Sequence, residues 1–141
     1  MLNNSKKNVL ILCTGNSCRS IIAEALINKE LGNDINCFSS GVKASGKVNP
    51  NARKILELNN CWSDNYHSKV IEDVLNLNYD LVVTVCDNAN ESCPLFPNNT
   101  KVIHIGFEDP DGKEFIEFEK TYQEIKFKLL PIISSYFNTT R

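Results

Sequence analysis

Residues 9–20 read VLILCTGNSCRS, an unbroken apolar run followed directly by a short polar loop. The apolar half, residues 9–12, is typical of a parallel strand that is buried on both faces. A helical pattern of apolar residues begins just after the loop, at Ile21. The stretch therefore predicts a strand, a tight loop and the first turn of a helix, in that order.

The loop has the composition of an anion-binding site. The first turn of a helix leaves its N–H groups unpaired, and the positive end of the helix dipole favours an anion beside them. Gly15 and Asn16 tolerate the positive φ that a curled ring of N–H groups requires. Arg19 adds a permanently charged planar group that can hold two oxygens of a tetrahedral anion. The residues expected to bind an oxyanion are Thr14, Gly15, Asn16, Ser17, Cys18, Arg19 and Ser20.

Cys13 ends the strand and is placed at the same loop, where its thiolate would be a nucleophile. Because the helix dipole and Arg19 both favour negative charge, we expect its pKa to lie below the free-thiol value of about 8.5. Ser17 and Ser20 are expected to donate hydrogen bonds to the sulfur. The alternative is an inert buried thiol beside a surface arginine, but the strand, the loop composition and the helix together favour catalysis.

The composition is that of one globular domain, which we predict over residues 1–141. The formal net charge is -2 and no basic stripe appears, which argues against nucleic acid as the main partner. The first eight residues are short and polar, so we expect no signal peptide, no membrane span and a cytoplasmic location. We also expect a monomer.

Six cysteines in a reducing compartment more often serve reactivity than structural bridging. No Cys-x-x-Cys occurs, and His67 and His104 have no metal-ligand spacing, so no zinc site is predicted. Cys37 and Cys61 are expected to be buried or incidental thiols, and Cys18 has no assigned role.

Strand and helix patterns alternate along the rest of the chain. Strands are predicted over residues 7–13, 34–40, 79–86 and 101–105. Helices are predicted over residues 18–31, from 49, from 68 and from about 114, with Pro131 kinking or ending the last. This alternation predicts an α/β fold, a three-layer sandwich with a four-stranded parallel sheet, whose functional site lies beyond the carboxyl ends of the strands.

Three further candidates belong to that edge of the sheet. Cys86 ends the third strand, and the polar segment between it and Cys93 is long enough to turn back and close a disulfide. A fixed surface disulfide and two unrelated thiols are the alternatives. Asp109 follows the fourth strand beside Pro110, so its carboxyl is a candidate general acid or base, although an ordinary acidic turn fits equally well.

These features resemble the thioredoxin-coupled arsenate reductases, which share the low-molecular-weight tyrosine phosphatase fold. The resemblance covers nearly the whole chain and includes CTGNSCRS at 13–20, FSSG at 38–41, VNP at 48–50, LVVTVC at 81–86, CP at 93–94 and GFEDP at 106–110. The oxyanion loop is common to phosphatases and reductases, whereas the pair of Cys86 and Cys93 distinguishes the reductases.

The resemblance implies reduction of arsenate to arsenite, a detoxification reaction, by a relay of thiols. Cys13 attacks arsenate held by the loop amides and Arg19, and Asp109 assists the loss of an oxygen as water. Cys86 then attacks the Cys13 sulfur, and Cys93 resolves the resulting disulfide. Reduced thioredoxin is the implied external electron donor, no cofactor is bound, and phosphate and sulfate are analogues of arsenate.

Members of the family that bind potassium near the loop use an asparagine, a glutamate, a serine and a later acidic residue. Asn16, Glu24 and Ser39 match the first three, but Lys69 replaces the acid. We therefore expect no metal, with the Lys69 ammonium in the place of the ion, and activity that does not respond to potassium.

Two other functions fit the same residues. One is a low-molecular-weight protein-tyrosine phosphatase, in which water hydrolyses a Cys13 phosphoenzyme. Such enzymes usually carry aromatic residues after the Asp-Pro, where this chain has Asp111-Gly112. The other is a non-catalytic module that binds an oxyanion or senses redox state.

Overall fold

Alternating strands and helices form the structure, a computed structural model that describes residues 6–138 with the exception of 92, 95, 97 and 98. The strands are β1 (Lys7–Cys13), β2 (Ile35–Gly41), β3 (Leu81–Thr84) and β4 (Lys101–His104). The α-helices are α1 (Arg19–Leu31), α2 (Pro50–Leu58), α3 (Asp87–Glu91), α4 (Phe115–Glu124) and α5 (Leu130–Phe137). The predicted bounds lie within two residues of the observed ones, except for the helix predicted from residue 68 and the last helix around Pro131.

The four strands form one parallel sheet in the order β2-β1-β3-β4. The connection from β1 leads to β2 on one side of it, and the next connection leads to β3 on its other side. The order of connection therefore reverses at the carboxyl ends of β1 and β3, which is where α/β folds place their sites. In the register of these two strands Leu12 lies beside Thr84. Cys13 and the residues after Thr84 therefore meet at one edge, and the predicted α/β fold with a four-stranded parallel sheet is confirmed.

The core lies around β1 and α1. Residues 9–12 of β1 are fully buried, as are Ile21, Ile22, Leu26 and Ile27 of α1, which packs between the sheet and the C-terminal helices. Burying one such aliphatic side chain contributes about 1.5–3 kcal/mol. The loop that joins β1 to α1 is thus held at both ends by fully buried segments.

Aromatic side chains cover the opposite face of the sheet. Phe38 and Phe96 both meet the ring of Tyr79 edge to face, with ring centroids 6.1 and 6.2 Å apart. The Tyr79 hydroxyl donates a hydrogen bond to the carbonyl of Val74 at 2.7 Å. This third layer is mostly irregular, since Ile71–Asp73 forms only one turn of 3₁₀ helix.

The helix predicted from residue 68 is therefore wrong. The Gly41 N–H donates to the carbonyl of Lys69 at 2.9 Å, and Gly41 and Val70 form a parallel β-bridge. Pairing with the end of β2 uses backbone groups that a helix would need. As a result, residues 67–70 pass directly behind the loop that follows β1.

Pro131 changes the last helix without ending it. The α-helix α4 stops at Glu124, Ile125–Leu129 form a π-helical segment, and α5 follows with Pro131 in its first turn. In a first turn the missing N–H of proline costs little, and the wider segment before it absorbs the disruption. Neither this helix nor any other within the described residues combines the length and the apolar character needed to cross a bilayer.

Candidate active site

The loop after β1 curls around a cavity of about 230 Å³ at the carboxyl end of the sheet. The cavity is lined by Cys13, Thr14, Gly15, Ser17, Cys18, Arg19, Ser45, Asp109 and Asp111. A larger groove of about 590 Å³ runs along α4 and shares Asp109, but no cysteine lines it. The smaller cavity therefore holds the nucleophile, the arginine and the candidate acid together.

Two of the predicted oxyanion-binding residues do not line this cavity. Asn16 and Ser20 are fully buried behind the loop, with their side chains hydrogen-bonded to each other at 2.7 Å. The remaining predicted loop residues, Thr14, Gly15, Ser17, Cys18 and Arg19, do line it. The side chains of Asn16 and Ser20 thus support the loop from behind.

The backbone of the loop bends at Asn16. Of the two residues that tolerate positive φ, Asn16 adopts it, with a φ of 51°, and Gly15 does not. Side-chain hydrogen bonds of Asn16 offset the cost of this conformation. Gly41 at the end of β2 supports the bend closely, because a β-carbon there would lie 2.5 Å from the Thr14 carbonyl oxygen.

Cys13 is 2% exposed, and its sulfur is in hydrogen-bond contact with the loop and with the first turn of α1. Its Sγ lies 2.9 Å from the Ser20 hydroxyl and 3.3 Å from the Asn16 backbone nitrogen. Burial raises the pKa of the Cys13 thiol, and the contacts from Ser20 and Asn16 and the charge of Arg19 lower it less than burial raises it. The expected low pKa is therefore not found, since the thiol is desolvated more strongly than the sequence suggested.

Cys18 also lines the cavity but has a less favourable environment for a thiolate. Burial raises the pKa of Cys18 to about 12, with Asp109 and Asp111 adding to the increase and only the Ser17 hydroxyl among the principal influences opposing it. Cys18 precedes α1 as its N-cap residue without capping it through its side chain. Cys13 has more groups that favour a thiolate, namely Ser20, the Asn16 N–H and the Arg19 charge, so it is the better nucleophile of the two.

Arg19 joins two sides of the cavity. Its Nη1 donates to the carbonyl of Phe107 at 3.1 Å, and its Nη2 lies 3.4 Å from Oδ2 of Asp109. The other carboxylate oxygen of Asp109 accepts the backbone N–H of Asp111 at 3.0 Å. These contacts aim the guanidinium along the cavity and fix the Asp109 carboxylate at its rim.

Ser45 and Asp111 line the cavity although the sequence did not mark them as site residues. The N–H of Ser45 donates to the Gly15 carbonyl at 2.9 Å, and Asp111 accepts a hydrogen bond from the Asn49 side chain at 2.7 Å. Asp111 belongs to the same acidic turn as Asp109, so its position in the sequence could have marked it as a site residue. Nothing in the sequence around Ser45 indicated its position.

Cys86 lies beside the loop rather than in the cavity. Its Sγ is 3.2 Å from the hydroxyl oxygen of Thr14, the residue after Cys13, and it accepts the N–H of Ala89 at 3.4 Å. Only 5% of Cys86 is exposed. The strand register explains this placement, because Leu12 and Thr84 are neighbours and each chain continues in the same direction.

Cys93 lies beyond α3 and is partly buried, and burial raises the pKa of its thiol. Its Sγ donates to the Pro94 carbonyl at 3.5 Å. The neighbouring residues 92 and 95 lie outside the described part of the chain. All six cysteines are free thiols.

The described residues contain no group of three or more His, Cys, Asp or Glu side chains placed to hold a metal ion. Asn16, Glu24 and Ser39 do lie together behind the loop, but the Nζ of Lys69 is 3.7 Å from Oε1 of Glu24. An ammonium already supplies the positive charge at this position. The donor set therefore does not fit an added potassium ion.

Comparison with known proteins identifies the family of the chain. Residues 8–134 match the family described as low molecular weight phosphotyrosine protein phosphatase. A Brevibacillus brevis protein named arsenate reductase is 47% identical over 122 residues, which cover 86% of this chain and 90% of that protein.

Two solved structures share the fold. The crystal structure of arsenate reductase from Archaeoglobus fulgidus superposes with a TM-score of 0.74 at 26% identity, covering 89% of this chain and 98% of that one. A structure titled as an arsenate reductase in the phosphate binding state gives a TM-score of 0.72 at 28% identity, covering 92% and 98%.

Proposed function

The chain belongs to the low molecular weight phosphotyrosine protein phosphatase family, and from that premise we propose that it is an arsenate reductase. The proposed reaction reduces arsenate to arsenite with Cys13 as the nucleophile, Cys86 and Cys93 as the relay thiols and thioredoxin as the reductant. Relatives named arsenate reductase at 40–47% identity support this choice within the family.

The observation that carries the proposal is the contact between Cys86 and Thr14. Hydrolysis of a phosphate ester needs the loop, a nucleophile and an acid, but it has no use for another thiol. The Cys86 sulfur nevertheless lies 3.2 Å from the side chain that follows the nucleophile in sequence. This contact supports the proposal that Cys86 attacks an adduct on Cys13.

The first step forms a bond between sulfur and arsenic. Arsenate enters as HAsO₄²⁻, held by the loop N–H groups and by Arg19, which lines the cavity. Because burial keeps Cys13 a thiol, its proton passes to the bound oxyanion as the sulfur attacks. One arsenic oxygen leaves as water, assisted by Asp109 at the cavity rim. The product is a Cys13 thioarsenate.

The second step transfers the electrons. The Cys86 thiol attacks the sulfur of Cys13, the S–As bond breaks, and its electron pair reduces arsenic from the +5 to the +3 state. The Cys86 proton leaves with arsenite, and a Cys13–Cys86 disulfide remains. Cys93 then attacks Cys86, which returns Cys13 to the thiol form and leaves a Cys86–Cys93 disulfide.

Thioredoxin reduces that last disulfide in the proposed cycle. The net change is one arsenate and one dithiol converted into arsenite, water and one disulfide. We place the reaction in the cytoplasm, where thiols are kept reduced and the relay can be recharged.

The test is release of arsenite by the reduced protein in a single turnover without thioredoxin. We expect stoichiometric release by the wild type and none by Cys86→Ser. Cys61→Ser is the matched control, since this thiol is buried beside Tyr122 and should behave as wild type. Rapid hydrolysis of an aryl phosphate without arsenite release would assign the protein as a phosphatase instead. Phosphate binding with neither reaction would leave only a binding module.

A further inference from the structure

A buried polar network lies behind the oxyanion loop and is not used by the steps above. Asn16 and Ser39 are fully buried, and Glu24 is 6% exposed. Buried polar groups of this kind are costly unless each has a partner. Each of these three has at least one.

Lys69 determines how the amide of Asn16 is turned. The backbone N–H of Lys69 can only donate, and it lies 2.7 Å from Oδ1 of Asn16. The amide nitrogen of Asn16 then faces two hydroxyls, at 2.7 Å to Ser20 and 2.9 Å to Ser39. Both hydroxyls accept from Asn16, and each keeps its own proton to donate elsewhere.

Two acidic groups lie beside these hydroxyls. Ser39 donates to Oε1 of Glu24 at 2.5 Å, and Ser20 lies 2.9 Å from Sγ of Cys13. Because the Asn16 amide donates to it, the Ser20 hydroxyl has its own proton available for the Cys13 sulfur, and donating that proton favours the thiolate. The orientation of Asn16 is passed to the nucleophile through this hydroxyl.

Lys69 also reaches the other end of the network with its side chain. Its Nζ donates to the carbonyl of His67 at 2.8 Å and lies 3.7 Å from Oε1 of Glu24. The Lys69 and Glu24 side chains are only 11% and 7% exposed. Removing the ammonium alone would leave an unpaired buried charge, which proteins tolerate poorly.

We propose that Lys69 is a positioning residue for Cys13, whose backbone N–H orients Asn16 and whose ammonium pairs with Glu24 in place of a free monovalent cation. One residue thus holds both ends of the network, and the oxyanion loop needs no potassium. The inference rests on the proposed function only in that Cys13 is the nucleophile.

The test measures alkylation of Cys13 by iodoacetamide in the reduced full-length protein, followed by peptide mass, in sodium chloride and in potassium chloride of equal ionic strength. Lys69→Met removes the ammonium and keeps the backbone N–H. The unpaired Glu24 carboxylate should then disturb the hydrogen bonds of Ser39 and Asn16 and so weaken the Ser20 contact with Cys13. We expect alkylation to slow about tenfold, the value of one hydrogen bond to a charged group, and potassium to restore part of the rate. Lys47→Met alters an exposed lysine and should match wild type in both salts.

A double variant, Glu24→Gln with Lys69→Met, removes both charges and so covers the case in which Lys69→Met does not fold. The introduced glutamine can still accept from Ser39, so we expect a rate within about twofold of wild type in either salt. The proposal is overturned if Lys69→Met is alkylated as fast as wild type, or if it is slow and its rate is equal in both salts. It is also overturned if potassium accelerates alkylation of wild type several-fold, or if the double variant is slow. Alkylation needs no arsenate, so these outcomes are independent of whether arsenite is released.

Discussion

The guanidinium of Arg19 lies 3.4 Å from the carboxylate of Asp109, which joins the start of α1 to the loop after β4. Arg19 also donates to the carbonyl of Phe107 in that loop. The residue proposed to hold the oxyanion and the residue proposed to protonate its leaving oxygen therefore form one unit. Each can be tested separately.

Arg19→Lys should lower the rate constant of single-turnover arsenite release by about 10²–10³, the effect of removing one preorganised donor. A lysine carries the charge but lacks the planar fork that contacts Phe107 and Asp109 together. Arg53→Lys is the control, because Arg53 pairs with Glu57 on the surface and should change the rate by less than about twofold. A loss below tenfold in Arg19→Lys would contradict the assigned role.

Asp109→Asn should slow arsenite release by about 10² or more, because the amide cannot relay the Cys13 proton to the leaving oxygen. Asp111→Asn provides a matched comparison in the same turn, since Asp111 lines the cavity but is engaged by the Asn49 side chain. We expect only a few-fold effect there. Equal losses in the two variants would show that the turn as a whole matters and Asp109 has no special part.

Ser20→Ala should raise the pKa of Cys13, because the Ser20 contacts are the largest influence that lowers it. Below that pKa the thiolate is the minor and reactive form, so alkylation at a fixed neutral pH should slow several-fold. Ser17→Ala is the control, since the Ser17 hydroxyl contacts Cys18 at 3.5 Å instead. Faster alkylation of Ser20→Ala would have the wrong sign for this account.

Gly41→Ala should lower the free energy of unfolding by about 1–3 kcal/mol, as overpacking does. The added β-carbon would lie 2.5 Å from the Thr14 carbonyl oxygen, so the loop must move and phosphate binding should weaken. At Gly15 the nearest atoms would be 3.9 Å away, so Gly15→Ala should cost less than about 0.5 kcal/mol. Urea unfolding of the two variants makes the comparison, and equal stabilities would refute it.

The parts of this fold that follow from local pattern were predictable from the sequence. The apolar run of residues 9–12 predicts a buried strand, and the apolar pattern after Arg19 predicts a helix, without reference to the rest of the chain. Both β1 and α1 form with nearly the predicted bounds. Placing Cys86 at the same edge as Cys13 required only that the strands be parallel. Its contact with Thr14 depended on strand order and register, which no local pattern contains.

The parts that depend on tertiary contacts were missed. Residues after Ser68 have a helical apolar pattern, but no α-helix begins there because Lys69 and Val70 pair with Gly41. This pairing places Lys69 behind the loop that follows β1. The desolvation of Cys13 likewise arises from packing around the whole loop, so its effect on the pKa was not visible in the spacing. Ser45 joins the cavity through a backbone hydrogen bond that any residue type could make.

The relay itself is tested most directly by the mass of the Cys93→Ser variant after one exposure to arsenate, followed by peptide mapping of its disulfides. Without Cys93 the cycle should stop after arsenite leaves, so we expect a protein lighter by two hydrogens that contains a Cys13–Cys86 disulfide. A Cys93→Ser protein that releases arsenite with Cys86 still a free thiol, or that forms no disulfide at all, would contradict the proposed path of electrons.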